Sequence, residues 1–240
     1  MRDKKSNTIS MWLLSDHDVT NTQMSRYNRI KSPRKTEIDR LSRYTTLPVL
    51  LDLLKRRKLV LLDPNSWDDK NDSGILLEYK KRKSLKRLLA LCFSCGDETV
   101  HHWKAFADGI SGCCVEFDPV PLIKLFDQHG LRHGLVTYKM IKDVKPASIV
   151  LNSIPFTKRW PYRCEEEYRI IREDDEEAST YELDIDLSFI RKITISQKMP
   201  NPVYETIKDY LREASMSPEK RVNRSTLYEN RVWLNKFKLI

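Results

Sequence analysis

The segment WPYRCEEEYRII, Trp160 to Ile171, places three consecutive glutamates between an aromatic cluster and an apolar pair. On an extended strand side chains alternate, so Glu165, Glu167 and Arg169 share one face while Glu166, Tyr168 and Ile170 share the other. Two carboxylates beside a guanidinium read in two ways. They are either an ion-paired surface strand or a rigid element whose arginine tunes a carboxylate to hold a ribose hydroxyl or act as a base. Two features favour the second reading: the aromatic prelude Trp160-Pro161-Tyr162, and a face with no apolar residue before Ile171.

Other chemistry-bearing stretches are weaker. In RYTT, Arg43 to Thr46, either Arg43 or Tyr44 projects into a cleft, and Thr45 or Thr46 reads equally well as a helix cap. CFSCG, Cys92 to Gly96, has the spacing of a zinc knuckle, but a structural zinc site needs a second pair, and the adjacent Cys113 and Cys114 point to opposite faces of a strand. No metal is expected there. His101 and His102, also adjacent, cannot share one metal from a regular helix and read as surface or hydrogen-bonded histidines.

The elements that must position these groups follow from pattern. Pro48 opens a helix whose Val49, Leu50, Leu53 and Leu54 form one face before a basic end, and Leu59 to Leu62 follows as a strand. DPNSWDDKNDSG is dense in turn formers and reads as a loop carrying Trp67, with a basic helix from Ile75 to Arg87 after it. Strands are predicted at Leu88 to Phe93, Cys113 to Phe117, Leu135 to Lys139, Glu167 to Arg172, Tyr181 to Ile185 and Lys192 to Ser196. Helices are predicted in ETVHHWKAFADG, from Val120 to Gln128 and from Val203 to Ala214, with a last strand near Ser225 to Leu234. The elements mix without regular alternation, which predicts an α+β fold with a mixed, mostly antiparallel central sheet and flanking helices.

The chain has 240 residues, 40% hydrophobic and 32% charged, which fits a soluble globular protein with a single α+β domain over residues 41–240. Residues 1–40, rich in Ser, Thr, Asn, Lys and Arg, read as a basic N-terminal extension. Residues 1–60 hold 14 Lys and Arg against 6 Asp and Glu, so the net charge of +9 is concentrated there. Such an arm either contacts the phosphates of a nucleic acid or is simply solvated. No apolar run is long enough to span a membrane and the N-terminus is too polar for a signal peptide, so the expected location is cytoplasmic, with no membrane association. The five cysteines, odd in number, are read as reduced thiols.

Taken in order, RYTTLPVLLDLL, WDDKND, ALCFSCGDETVHHWKAFADGISGCCVEFD, PFTKRWPYRCEEEYRII and DIDLSFIRKITISQKM resemble the bacterial family known as domain of unknown function 2971, over roughly residues 41 to 235. That family looks like a divergent ADP-ribosyltransferase fold with a split sheet. The resemblance implies NAD as cosubstrate, a macromolecular acceptor such as nucleic acid, and a toxin or phage-defence setting with an antitoxin or defence-system partner. It also implies roles. Glu167 would be the carboxylate that holds the ribose and stabilises positive charge, with Glu165 positioning or deprotonating the acceptor. Arg43, Tyr44 and Thr45 would touch the dinucleotide, Ser94 would brace the site, and Arg169 would tune the acids. Trp67, Asn71, Asp72, His102 and Trp103 would line the same pocket or brace its loop. The late motif departs from the family at Arg163-Cys164, Ser94 lies between cysteines, and Arg43, not a histidine, stands directly before Tyr44.

Two other classes compete. A non-catalytic nucleic-acid-binding module would stack bases on Trp67, Trp103 and Trp160. A magnesium-dependent nuclease would gather Asp68, Asp69, Asp72, Glu165 and Glu167.

Overall fold

The structure, a computed structural model, describes residues 38–176, 178–214 and 221–238. The basic extension predicted over residues 1–40 lies almost wholly outside them. The first strand, β1 (Leu41–Thr46), runs straight into helix α1 (Leu47–Arg56), where Pro48 occupies the first turn and Leu50, Leu53 and Leu54 are buried. Lys55 and Arg56 end the helix at the negative pole of its dipole, and Arg57 closes it in the left-handed conformation by donating its N–H to the Leu53 carbonyl. Strand β2 (Lys58–Leu62) follows.

Residues 63–74, expected to be a loop, are half helical. Asp69 caps helix α2 (Lys70–Arg82), its Oδ1 accepting from the Asn71 and Asp72 N–H groups at 3.0 and 3.4 Å. The helix therefore starts five residues ahead of its apolar periodicity and stops before Arg87, which opens β3 (Arg87–Ser94). Helix α3 (Val100–Phe106) is capped by Thr99, and β4 (Gly112–Phe117) leads to α4 (Pro119–Gln128). The strand predicted from Leu135 to Lys139 is broken at Val136, whose N–H turns to the Glu167 carbonyl at 2.9 Å. This leaves β5 (Arg132–Leu135) and β6 (Thr137–Lys139) in different sheets. Next come β7 (Thr157–Arg159), β8 (Glu167–Asp174), β9 (Thr180–Asp184), β10 (Ile190–Ile195), α5 (Asn201–Ala214) and β11 (Arg221–Arg224). The predicted final strand near Ser225 to Leu234 is instead helix α6 (Arg231–Lys236), because the Asn230 side chain accepts from the Trp233 N–H at 2.9 Å and starts a helix.

The fold is α+β, with a mostly antiparallel nine-stranded sheet that forks at β3. One edge of β3 pairs with β8 along its whole length, from Arg87↔Asp174 to Ser94↔Glu167, and β8 in turn carries β5. The other edge is shared. It meets β1 only at Ser42↔Ser94 and β2 only at Leu62↔Ala90. From there β1 continues through β4, β10 and β11, while β2 continues to β9. A gap therefore opens beside Leu91 and Cys92.

The core packs α1 and α4 against this sheet through Leu41, Leu50, Leu61, Phe93, Val115, Phe117, Phe126 and Ile170. Phe93 and Phe117 meet edge to face at 5.7 Å, a preferred aromatic geometry. No helix among the described residues is long and apolar enough to cross a membrane.

Candidate active site in the fork of the sheet

The gap is the mouth of a cavity of about 520 Å³, within the ordinary range of ligand pockets, roughly 300–1,000 Å³. One wall is β1 with Ser42, Arg43 and Tyr44, and the opposite wall is the exposed edge of β3. The 3-10 turn Pro64–Ser66 and the start of α2 bring Trp67, Asp69 and Asp72, and α3 brings His101, His102 and Phe106. Lys158, Tyr162, Glu165 and Glu167 form the floor.

The glutamates do not lie on one continuous strand as expected. Trp160 to Glu165 is a 3-10 helix, and Glu166 caps it at φ 41°, ψ 53° before β8 begins at Glu167. A left-handed residue with a side chain costs on the order of 1–2 kcal/mol. The kink also lets Glu165 and Glu167 approach the same lysine from two directions. Lys158 Nζ lies 2.6 Å from Glu165 Oε2, 3.3 Å from Glu167 Oε2 and 3.3 Å from Asp72 Oδ2. Arg169 is fully buried behind them. Its Nε donates to Glu167 Oε1 at 2.6 Å, Nη1 and Nη2 grip Asp72 at 2.9 and 2.6 Å, and Nη1 also reaches the Pro155 carbonyl at 2.9 Å. Three carboxylates and two cations are thus interlocked, all of them buried. Removing each ion from water costs several kcal/mol, so a hydrophobic cluster would serve stability as well or better, which makes this network the candidate site.

The two glutamates are electrostatically unlike. Burial pushes both carboxyls up. At Glu167 the Arg169 and Lys158 charges overturn that and hold the group ionised, down to about 2. At Glu165 burial prevails and the carboxyl sits above its usual range, although Lys158 opposes the shift. Glu167 uses both oxygens on cations. Glu165 commits Oε2 to Lys158, and among the described residues its Oε1 has only His101 Nε2, at 3.4 Å. These shifts give a signed pH dependence. Glu167 titrates at 4.5 when unfolded and about 2 when folded, so its contribution is complete above pH 4.5 and is lost as pH falls toward 2. The stability advantage of the wild type over Glu167→Gln, measured by denaturant unfolding across this range, should shrink toward acid. An advantage independent of pH would contradict the assignment.

Arg43 stands opposite the acids. Its only side-chain hydrogen bond among the described residues goes from Nη1 to the Cys92 carbonyl across the gap, at 2.9 Å. Burial disfavours its charge, but a guanidinium stays protonated, so it is a desolvated cation at the cavity wall. Tyr44 is clamped. His102 stacks on it at 4.8 Å and 7°, and Trp103 meets it edge-on at 5.6 Å. His102 is itself locked, with Nδ1 2.8 Å from Thr99 Oγ1 and Nε2 3.2 Å from the Glu165 carbonyl, and burial lowers its basicity. Trp67 lines the cavity with the Arg169 guanidinium 5.3 Å from its ring.

Of the residues singled out in the sequence, Arg43, Tyr44, Trp67, Asp72, Ser94, His102, Glu165 and Glu167 line this one cavity. Arg169 braces it from behind. Thr45 pairs with Cys113 away from it, Asn71 is exposed at the start of α2, and Trp103 points to Glu98, to which its Nε1 donates at 2.6 Å. Ser94 Oγ accepts the Gly96 N–H at 3.2 Å and so shapes the turn after β3. Sequence reasoning passed over Lys158, and it gave no site role to His101, read as a surface or hydrogen-bonded histidine, or to Tyr162 of the aromatic prelude. Nothing in PFTKRWPYR marks Lys158 as buried, whereas His101 shares a helical turn with His102.

The rival readings fare differently. The tryptophans form no common platform, since Trp103 is buried, Trp67 is inside the cavity and Trp160 is 40% exposed under Arg163. Three of the five acids of the nuclease reading, Asp72, Glu165 and Glu167, are paired with Lys158 and Arg169, and no group of three or more potential metal ligands is found among the described residues.

No family model and no curated protein matches the chain, so the resemblance to domain of unknown function 2971 rests on motif order alone. Among solved structures, the chain aligns with DarT from Thermus sp. 2.9 in complexes with ADP-ribosylated ssDNA, with carba-NAD+ and with NAD+. The identities are 10%, 12% and 11% and the TM-scores 0.39, 0.38 and 0.39, over 78%, 79% and 79% of this chain and 94%, 96% and 96% of theirs. Likeness at that level decides nothing about chemistry, which rests on the site.

Proposed function

We propose that the fork binds NAD and that the protein is an ADP-ribosyltransferase-like enzyme acting on a macromolecule. The observation that carries this reading is the cavity floor: a buried carboxylate whose Oε1 makes only a long 3.4 Å contact with His101 and can take a ligand hydroxyl, beside a second carboxylate held ionised by Arg169 and Lys158. Cleaving a glycosidic bond builds positive charge at the sugar, and fixed negative charge with a hydroxyl acceptor is what lowers that barrier. Arg43, across the cavity, supplies the cation that a pyrophosphate needs. The Trp67 and Tyr162 rings offer faces for a base or for nicotinamide.

The roles implied by the family resemblance are exchanged here. Glu165, with the available Oε1, holds the ribose hydroxyl, and Glu167, locked by Arg169 and Lys158, supplies fixed charge. The net charge of +9 makes nucleic acid the favoured acceptor class. Incubation with NAD labelled in its adenylate phosphate should transfer label to heat-denatured DNA and release nicotinamide. Absence of both products, with protein acceptors also unlabelled, would sink the reading.

A further inference from the structure

His101 belongs to none of the roles assigned so far. It sits in the first turn of α3 and lines the cavity, and its side chain is 38% exposed, so both solvent and a ligand reach it. Its Nε2 faces Glu165 Oε1, and its ring is set edge-on against Phe106 at 6.1 Å and against His102 at 6.2 Å. The charged and titratable groups around it are Glu165 on the 3-10 turn, Lys158 on β7 behind that carboxylate, and His102 on its own helix. His102 cannot carry a proton to or from a ligand, because both its ring nitrogens are engaged within the protein. Among the described residues His101 has one nitrogen so engaged, Nε2, and no hydrogen-bond partner at the other.

Resting on the transferase reading, we infer that His101 is the proton-accepting residue of the site, oriented by Glu165. A carboxylate on Nε2–H fixes the tautomer and leaves Nδ1 basic. When the acceptor's lone pair bonds to the ribose C1′, the C1′–nitrogen bond breaks with its electron pair leaving on nicotinamide. The proton lost by the acceptor passes to His101 Nδ1 and from there to solvent. Glu165 then has two tasks, holding the ribose through Oε1 and steering the imidazole, and the long 3.4 Å contact leaves room for the first without abolishing the second.

The test is His101→Gln, which keeps a polar side chain of similar reach. NAD should still raise the melting temperature of the variant, showing a folded protein with an intact binding site. Transfer of label from NAD to heat-denatured DNA should fall about 100-fold, at the low end of general-base contributions. Transfer at the wild-type rate would overturn the inference, and so would loss of the NAD-induced shift, which would make His101 a binding residue. The ¹⁵N signals of the wild-type imidazole give a reading that needs no variant: the tautomer carrying its proton on Nε2 is expected, and the Nδ1–H tautomer contradicts the scheme. A wild type that is neither stabilised by NAD nor able to release nicotinamide would remove the transferase reading itself. Failure confined to His101→Gln removes only the base.

Discussion

Arg169→Met should lower stability by about 3–5 kcal/mol, the cost of leaving buried charges without their partner. For a domain of this size that is a fall in melting temperature of roughly 6–20 °C. The guanidinium is wholly buried and serves Glu167, Asp72 and the Pro155 carbonyl together. Methionine fills the volume and satisfies none of them, and Lys158 alone then faces three carboxylates. Arg169→Lys should recover little, because an ammonium cannot span both acids in the plane of a fork. Asp72→Asn added to Arg169→Met should cost less than the sum of the two single changes, since the second removes a charge that the first has orphaned. Thermal or denaturant unfolding of the four variants, the single Asp72→Asn included, checks this. Additive losses would mean that the network is not one unit.

Glu165→Gln should behave in the opposite way, with little effect on stability and a large effect on turnover. Burial already holds the Glu165 carboxyl above its usual range, so a neutral amide of the same shape replaces an ion that the site tolerates poorly. The amide retains an acceptor oxygen for Lys158 but puts its NH2 where the ribose hydroxyl needs an acceptor. Loss of one such preorganised group costs about 10²–10³ in rate. Nicotinamide release from NAD is the readout. A variant that turns over at the wild-type rate would take Glu165 out of the chemistry, and one that unfolds would place it with Arg169 as a structural charge.

Much of this site was legible in the residues. Glu165, Glu167 and Arg169 stood out because charge at alternate positions between aromatic and apolar residues is a poor design for a solvent face, and the structure does bury all three. The alternation misled in one respect. The chain reverses its local geometry at Glu166, and a left-handed glutamate has no sequence signature of the kind a glycine gives. Helix α2 was placed too late because its first turn is held by the Asp69 cap and not by apolar periodicity. The last segment was read as a strand for the same reason, with Asn230 as the overlooked cap. Lys158 was invisible, since its burial depends on three acids contributed by α2, the 3-10 turn and β8. The contact of Arg43 with Cys92, 49 residues apart, arises only because β1 and β2 diverge from one edge of β3. Pairings of that range are set by the packed sheet, beyond the reach of local pattern.

The most direct test is thermal unfolding of the full chain with and without millimolar NAD, repeated for Glu165→Gln and Arg43→Gln. A ligand at about 100 times its dissociation constant adds ~2.7 kcal/mol, or roughly 5–11 °C here. The wild type should show that shift, Glu165→Gln should keep part of it, and Arg43→Gln should lose most of it. A wild type whose melting temperature is indifferent to NAD would contradict a dinucleotide site in the fork.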